Sequence, residues 1–176
     1  MSQQQASPIV LCFSGHDPVG GAGIQADIEA IAAQGAHAAT VITALTVQDT
    51  RNVQRIEPVT TNTLREAANT VLEDLPVAAF KIGLLGSAAI AQAVANIIRD
   101  HPGIPLVLDP VLAAGGGKDM SDDSLLEVIR NELLTLTSVL TPNSLEARRL
   151  SGKENLADCA QQLLSAGCRH VLITGT

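Results

Sequence analysis

The sequence predicts an α/β fold in which helices cover both faces of a mostly parallel sheet, and three observations lead to this fold class. Short apolar, β-branched runs alternate with longer amphipathic stretches, which is the pattern of strands joined by crossover helices. Runs such as Ile-Val-Leu-Cys-Phe at positions 9–13 are apolar rather than alternating, as expected of strands buried on both faces. A glycine-rich segment follows the first of these runs, at a place where parallel sheets bind ligands.

The first half of the chain predicts three strands, each followed by a helix. The strands are the apolar runs Ile9–Ser14, Ala39–Leu45 and Val77–Ile82. The helices are the amphipathic stretches Gly23–Gln34, Leu64–Leu75 and Ala88–Arg99. Two helix starts carry capping residues, because Thr63 lies three residues before Glu66 and Ser87 precedes an Ala-rich run.

The second half predicts three more strands and three more helices by the same alternation. The strands are Leu106–Asp109, Ser138–Leu140 and His170–Thr174. The helices are Ser124–Leu134, Ser144–Leu150 and Leu156–Ala166. At 176 residues and roughly 100–200 residues per domain, residues 1–176 are assigned to a single domain.

Composition excludes several classes of partner. Eleven basic against 18 acidic residues give a net charge of −7, which disfavours a nucleic-acid partner because such proteins neutralise phosphates with Lys and Arg. An aromatic content of 1% also disfavours base stacking. No apolar stretch reaches the roughly 18–20 residues that span a bilayer, and residues 1–8 lack the pattern of a secretion signal. We therefore expect a cytoplasmic protein without a membrane partner.

The cysteines and histidines give no sign of a metal centre. Cys12, Cys159 and Cys168 show no C-x-x-C spacing, so we expect buried free thiols rather than disulfides or a thiolate zinc site. The four histidines have no mutual ligand spacing, and no G-x-S-x-G elbow is present. Zinc and hydrolase chemistry are both disfavoured.

The strongest local signal is the glycine-rich segment 14–27 between the first strand and the first helix. Its glycines allow a close backbone approach to a ligand, and the free amides of the helix start could bind an anion or a polar ring edge. No Lys-Ser/Thr follows the glycines, so the segment is not a Walker A loop. It contains G-x-G-x-x-A at Gly21, Gly23 and Ala26, but too far from the strand for a dinucleotide fingerprint. A plain turn remains the alternative.

Three further segments follow predicted strands and carry polar groups. Residues 46–51 place several hydrogen-bonding side chains together, although an exposed polar loop explains them equally well. Asp109 ends a buried strand, where a carboxylate could orient Mg²⁺ or simply cap a turn, and residues 115–117 could form a glycine lip over the crevice. Asn143 and Glu146 fit a capping box or a magnesium and phosphate site, and their spacing favours the cap.

Five segments together resemble one enzyme family. They are G-H-D-P-V-G-G-A-G-I-Q-A-D, V-I-T-A-L-T-V-Q-D-T, K-I-G-L-L, L-D-P-V and T-P-N-S-L-E-A, in this order along the chain. The sequence resembles the hydroxymethylpyrimidine/phosphomethylpyrimidine kinases of thiamine biosynthesis, which belong to the ribokinase-like superfamily. The first segment is long and specific, whereas T-P-N-x-x-E is shared across the superfamily. The resemblance implies a ribokinase-like three-layer α/β/α sandwich, incomplete at its C-terminus.

The resemblance also implies substrates and site residues. The family transfers the γ-phosphoryl group of ATP to 4-amino-5-hydroxymethyl-2-methylpyrimidine and then to its monophosphate, with Mg²⁺ as cofactor. The pyrimidine pocket implied by the resemblance consists of Gly15, Ala22, Asp27, Gln48, Leu84 and Val111. The nucleotide side is assigned to Asn143 and Thr174, and the magnesium ligands to Asp109 and Glu146. Because the family often forms dimers through a sheet edge, a homodimer is an expectation.

The sequence departs from the family pattern at several positions. His16, Asp49 and Leu84 stand where Ser or Thr, Asn, and Met are commoner, and Leu-Ala-Ala-Gly-Gly-Gly follows Val111 where relatives have a basic residue that Lys118 could replace. The family's anion-hole loop and catalytic side chain are expected beyond Thr176, so no catalytic residue is assigned in this chain. We therefore expect little kinase activity from these 176 residues alone. The alternatives are a pyridoxal-type vitamin kinase and a non-catalytic pyrimidine-binding fragment.

Overall fold

A seven-stranded sheet with helices on both sides organises the protein in the computed structural model, which describes residues 7–112 and 122–175. The strands are β1 (Ile9–His16), β2 (His37–Gln48), β3 (Val53–Pro58), β4 (Val77–Ile82), β5 (Leu106–Leu108), β6 (Val139–Leu140) and β7 (His170–Val171). The helices are α1 (Gly23–Ala33), α2 (Thr61–Asp74), α3 (Ala88–Arg99), α4 (Asp123–Val128), α5 (Ser144–Ser151) and α6 (Leu156–Ser165). The predicted fold class is confirmed.

The strand order creates a crevice beside β1. The order is β3-β2-β1-β4-β5-β6-β7, and every pair is parallel except β2 with β3. From β1 the chain passes to β2 on one side and later to β4 on the other. Adjacent connections therefore leave β1 in opposite directions, and at such a switch point the carboxyl ends of the strands leave room for a ligand.

Strand β3 was not predicted, and it changes the interpretation of residues 46–51. β2 runs to Gln48, three residues beyond the predicted end, and a short turn joins it to the antiparallel edge strand β3. Segment 53–58, Val-Gln-Arg-Ile-Glu-Pro, carries only two large apolar residues, so it lacks the apolar signal of a buried strand. Thr46 and Gln48 belong to β2 rather than to a loop.

Local capping explains most helix starts, with one correction. Ser87 and Asn143 are the N-caps of α3 and α5, as predicted. The N-cap of α2 is Thr60 rather than Thr63, and its hydroxyl accepts a hydrogen bond from the Thr63 amide at 3.1 Å. The helix therefore begins one turn earlier than predicted, because Thr60 is the residue with extended backbone geometry.

The other differences concern element ends. The predicted helix 124–134 is α-helical only to Val128 and continues as a π turn (Ile129–Leu133) and a 3₁₀ turn (Leu134–Leu136). β1 extends past its predicted end to His16, and β7 ends at Val171, three residues before its predicted end. The predicted glycine lip 115–117 and Lys118 lie outside the described residues.

The core lies between the central strands and the helices on either side. Leu11 and Phe13 of β1 and Phe80 and Ile82 of β4 are fully buried, and they belong to the same hydrophobic cluster as the buried residues of α3. The three cysteines are free and buried, as predicted. Among the described helices, each is too short or too polar to cross a membrane.

Candidate active site

A cavity of about 480 Å³ opens at the carboxyl ends of β1, β2, β4 and β5, which is the crevice that the topology predicts. It brings together seven of the ten predicted site residues. They are Gly15, Ala22, Asp27, Gln48, Leu84, Asp109 and Val111. The other three, Asn143, Glu146 and Thr174, are absent from its lining.

The glycine-rich loop approaches β1 so closely that one position excludes a side chain. Gly23 has a φ of +61°, and a Cβ atom there would lie 2.2 Å from the carbonyl oxygen of Gly15. A Cβ atom on Gly15 would in turn lie 2.9 Å from Cδ2 of Leu84. The loop therefore lies directly against the strand end and forms one wall of the cavity.

Asp17 holds this loop in place, a role that the sequence analysis missed. Its side chain is 5% exposed and accepts hydrogen bonds at 2.9 Å from the backbone amides of Val19 and Ala22. Burial raises the pKa of Asp17, but the hydrogen bonds it accepts, including one from the Gln48 side chain, outweigh burial and lower the pKa below its usual value. An Asp in front of a Pro-x-Gly turn is the local signal that could have identified it.

Gln48 is positioned through that same carboxylate. It is the last residue of β2 and lines the cavity, and its side chain lies close enough to Asp17 to lower the pKa of that carboxyl group. An amide that donates on one side keeps its remaining donor and its acceptor for a ligand. The predicted role of Gln48 as a pyrimidine contact is compatible with this position.

Asp27 and Lys81 form an ion pair on the cavity wall. Nζ of Lys81 lies 2.8 Å from Oδ1 and 3.1 Å from Oδ2 of Asp27, with side-chain exposures of 20% and 13% respectively. The sequence analysis predicted Asp27 but missed Lys81, because a single lysine in an apolar run reads as part of a strand. Gly83 leaves space for the pair, since a Cβ atom there would lie 2.8 Å from the lysine Nζ.

Asp109 faces the same cavity from the end of β5. Burial raises its pKa above the usual value; the positive charge of Lys81 opposes this increase and the negative charge of Asp27 adds to it. Its backbone amide donates to the Ile82 carbonyl at 2.9 Å, which fixes the chain as it leaves the sheet. Carboxylates whose pKa is raised in a cleft are frequent at functional sites.

Apolar side chains complete the cavity. Leu84 is 8% exposed and lines one wall, and its carbonyl oxygen accepts a hydrogen bond from the buried Thr43 hydroxyl. Val111 lines the side next to Asp109. The predicted apolar walls are therefore present, facing the polar groups of Asp27 and Gln48.

The predicted nucleotide and magnesium residues of α5 form a capping box. The Asn143 side chain accepts from the amides of Leu145 and Glu146, and the Glu146 carboxylate accepts from the Asn143 amide at 2.8 Å. The other oxygen of Glu146 accepts from the Leu112 amide at 3.3 Å. Burial raises the pKa of Glu146; these hydrogen bonds oppose the increase, and the charge of Asp109 adds to it. The effect of Asp109 indicates that the two carboxylates lie in one electrostatic neighbourhood.

Thr174 lies beside the start of α5. Its amide donates to the Pro142 carbonyl at 2.9 Å, and its exposed side chain is within hydrogen-bond distance of the same carbonyl. Together with Asn143 it marks the ends of β6 and β7, next to the cavity-facing end of β5 in the sheet. The candidate site therefore has two neighbouring parts.

The β2–β3 turn supplies polar residues at the mouth of the cavity. Asp49 accepts hydrogen bonds at 2.8 Å from the amides of Arg51 and Asn52. These bonds lower the pKa of Asp49 below its usual value. Its carboxylate therefore stabilises the turn, while Arg51 and Asn52 line the cavity.

Comparison with known proteins decides the family. The family model for phosphomethylpyrimidine kinase matches residues 17–176. The chain belongs to the phosphomethylpyrimidine kinase family. The match includes the glycine-rich loop from Asp17 onward, the Asp27–Lys81 pair and the capping box of α5.

Individual relatives agree with this assignment. Hydroxymethylpyrimidine/phosphomethylpyrimidine kinase of Haemophilus influenzae is 37% identical over 94% of this chain, and the match covers 64% of that enzyme. The crystal structure of phosphomethylpyrimidine kinase from Clostridium difficile has a TM-score of 0.89 at 31% identity, covering 97% of this chain and 76% of that one. An ADP complex of Bacillus subtilis pyridoxal kinase has a TM-score of 0.85 at 29% identity, covering 97% and 66%.

These 176 residues span only part of the length of the relatives that they match. The chain spans 64% of the Haemophilus enzyme and 32–35% of longer bifunctional thiamine-biosynthesis enzymes. The described part of the family fold contains both parts of the candidate site, the cavity beside β1 and the polar cluster at the ends of β6 and β7.

Proposed function

We propose that the protein takes part in the phosphorylation of 4-amino-5-hydroxymethyl-2-methylpyrimidine and of its monophosphate, with ATP as phosphoryl donor, in thiamine biosynthesis. The observation that carries this proposal is the cavity beside β1, in which Asp27 and Gln48 face the apolar side chains of Leu84 and Val111. A flat aminopyrimidine needs both features, polar groups along its edge and apolar contacts to its faces. Family membership supports the same substrate class.

Each pocket residue has a role in this proposal. As a carboxylate, Asp27 accepts hydrogen bonds and donates none, so it suits the exocyclic amine. Gln48 both donates and accepts, so it suits the ring edge. Gly15 and Ala22 bring backbone close to the ring, because neither adds a side chain that would fill the cavity. Leu84 and Val111 supply the apolar contacts.

The nucleotide is assigned to the neighbouring part of the site. The Bacillus subtilis structure of similar fold is an ADP complex, which supports a nucleotide on this scaffold. Asn143 and Thr174 lie at the ends of β6 and β7, where parallel sheets bind phosphates near helix starts. In the first transfer, the hydroxymethyl oxygen bonds to the γ-phosphorus and its proton is released to water, while the bond to the β–γ bridging oxygen breaks and ADP leaves. In the second transfer, an oxygen of the monophosphate attacks instead.

Mg²⁺ is assigned to Asp109 and Glu146. Hard oxygen donors are the ligands that Mg²⁺ prefers, and it commonly uses one or two carboxylates together with substrate phosphates. Burial raises the pKa of both carboxyl groups, and the charge of Asp109 raises that of Glu146 further, so a divalent cation between these donors would relieve the repulsion. When bound, the ion would offset the negative charge of the phosphates.

Isothermal titration calorimetry of the 176-residue chain with the aminopyrimidine tests the pocket. We expect 1:1 binding by the wild type and roughly 5–150-fold weaker binding by Asp27→Ala, since an unpaired buried hydrogen-bonding group costs about 1–3 kcal/mol. Glu29→Ala, an exposed carboxylate of the same helix, is the matched control. Absence of binding by a folded wild-type chain would contradict the proposal.

A pyridoxal-type vitamin kinase is the second candidate, because the Bacillus subtilis pyridoxal kinase has a closely similar fold. The same titration with pyridoxal separates the two candidates. Tighter binding of pyridoxal than of the aminopyrimidine would favour the second. We expect the opposite order, because the pocket offers a carboxylate acceptor to an amine.

A homodimer is proposed through the β2–β3 edge of the sheet. Leu45 and Val47 of β2 are 48% and 43% exposed, and among the described strands β3 is the outermost at this edge of the sheet. Sedimentation equilibrium should show a dimer that Leu45→Glu converts to a monomer. A monomeric wild type would refute this assignment.

A further inference from the structure

The ammonium group of Lys81 lies on the cavity wall, where the proposed function uses only its partner Asp27. Nζ contacts both oxygens of the Asp27 carboxylate, at 2.8 and 3.1 Å. The two residues are 54 positions apart, on β4 and α1. The pair therefore joins the sheet to the helix that follows the glycine-rich loop.

The ion pair lies over the central strands of the sheet. Lys81 is paired in register with Cys12 of β1 and Val107 of β5, and Cys12 is fully buried. Burial raises the pKa of the Cys12 thiol to about 12; the charge of Asp27 adds to this increase and that of Lys81 opposes it. The ion pair therefore lies between the buried Cys12 of the sheet and the cavity, which both of its side chains line.

The surrounding backbone leaves room for the ammonium in this position. A Cβ atom on Gly83 would lie 2.8 Å from Nζ of Lys81 and 2.5 Å from Oγ of Ser14. Any larger residue at position 83 would displace one of these groups. Nζ therefore occupies space that the absence of a side chain at Gly83, directly after β4, leaves free.

We propose that Lys81 is a positioning residue that determines substrate specificity: by holding Asp27 at both oxygens, it presents a fixed acceptor that selects a ring carrying an amine. This inference rests on the proposed function. A carboxylate has about four acceptor sites, so the contacts to one ammonium leave sites for the amine. A ring without the amine leaves the carboxylate unpaired on the cavity side, and sites built to bind an N–H reject ligands that lack it.

The test measures a ratio of affinities rather than an affinity. Calorimetry compares 4-amino-5-hydroxymethyl-2-methylpyrimidine with its deamino analogue, 5-hydroxymethyl-2-methylpyrimidine, on the 176-residue chain. We expect the wild type to prefer the amine by roughly tenfold or more. In Lys81→Met the preference should fall below about threefold, through weaker binding of the amine, while Lys81→Arg keeps most of it. Lys153→Met, which removes an exposed lysine of the α5–α6 connection, should leave the ratio unchanged.

A purely structural role gives a different result. If Lys81 only stabilises the fold, Lys81→Met weakens both ligands equally and keeps the ratio, which overturns the inference. If Lys81→Met does not fold, the neutral pair Asp27→Asn/Lys81→Met replaces it, and a wild-type ratio in that variant overturns the inference as well. Absence of binding by the wild type refutes the proposed function and this inference together, whereas normal binding with an unchanged Lys81→Met ratio refutes the inference alone.

Discussion

Replacing Gly23 by alanine tests whether the close contact between the glycine-rich loop and β1 builds the cavity. The new Cβ atom would lie 2.2 Å from the Gly15 carbonyl oxygen and 3.3 Å from the Asp17 amide nitrogen, at a φ of +61°. No real contact is that short, so the loop must move away from the strand end. The movement would displace Gly15 and Asp17, and with them the cavity wall that includes Ala22.

The chain provides two matched controls in the same loop. Gly20 also has a positive φ, +83°, but a Cβ atom there meets nothing within 4 Å, and Gly21 meets only the Asp17 carboxylate at 3.9 Å. Left-handed backbone costs an L-residue roughly 1–2 kcal/mol, and overpacking costs roughly 1–3 kcal/mol. We therefore expect Gly20→Ala to lose about 1–2 kcal/mol of unfolding free energy, since it has the backbone strain alone. Gly23→Ala should lose about 2–5 kcal/mol, since it has both strain and crowding.

Urea unfolding followed by circular dichroism gives the stability, and calorimetry with the aminopyrimidine gives the affinity. Gly23→Ala should bind at least about tenfold more weakly, one decade being about 1.4 kcal/mol, whereas Gly20→Ala and Gly21→Ala should bind nearly as the wild type. Equal stability and equal affinity of Gly20→Ala and Gly23→Ala would refute the reasoning, because crowding would then have no effect.

Three further predictions concern single groups. Burial raises the pKa of Cys12 to about 12 and that of Cys168 to about 11, so both thiols should resist iodoacetamide at pH 8 until the chain is unfolded; mass spectrometry of the native protein checks this, and rapid labelling would contradict it. Thr60→Ala should cost about 0.5–2 kcal/mol as the loss of an N-cap, more than Thr63→Ala, and urea unfolding of both variants decides which threonine caps α2. Asp109→Asn should be more stable than the wild type at pH 7, because the pKa of Asp109 is raised in the folded state. The stability that the protonated Asp109 contributes is present below the pKa of the unfolded chain and is lost as the pH rises through the pKa of the folded state. The difference between the two proteins should therefore vanish in acid, and a difference in unfolding free energy that does not depend on pH would disprove the raised pKa.

The sequence predicted those elements whose signal is local. The apolar runs of β1 and β4 and the amphipathic period of α3 need no knowledge of the rest of the chain, and the capping boundary at Asn143 lies within four residues. β3 lacks such a signal, because Val53–Pro58 is largely exposed and becomes a strand only by pairing with β2. Its absence from the prediction follows from its position at the sheet edge.

The sequence predicted which residues line the cavity where a residue ends or follows a predicted strand. Gly15, Gln48 and Asp109 follow or end strands, so the topology alone brings them to one crevice. Lys81 acts through a partner 54 positions away, and that partner is not visible in local spacing. Asp17 was missed for a different reason, since it acts on the loop backbone rather than on the cavity.

The charges of the site favour Asp109 over Asp27 as a ligand of the proposed Mg²⁺. Asp27 is already neutralised by Lys81 at 2.8 Å, whereas burial raises the pKa of Asp109 and Lys81 opposes this increase only in part. A nucleotide adds several negative charges at the neighbouring strand ends, which would raise the cost of an ionised Asp109 further. A divalent cation would stabilise the ionised form of Asp109 and would also offset the negative charge of the phosphates. Mg²⁺ should therefore raise the melting temperature of the wild type in the presence of ADP, and Asp109→Asn should remove that increase while Asp27→Asn keeps it.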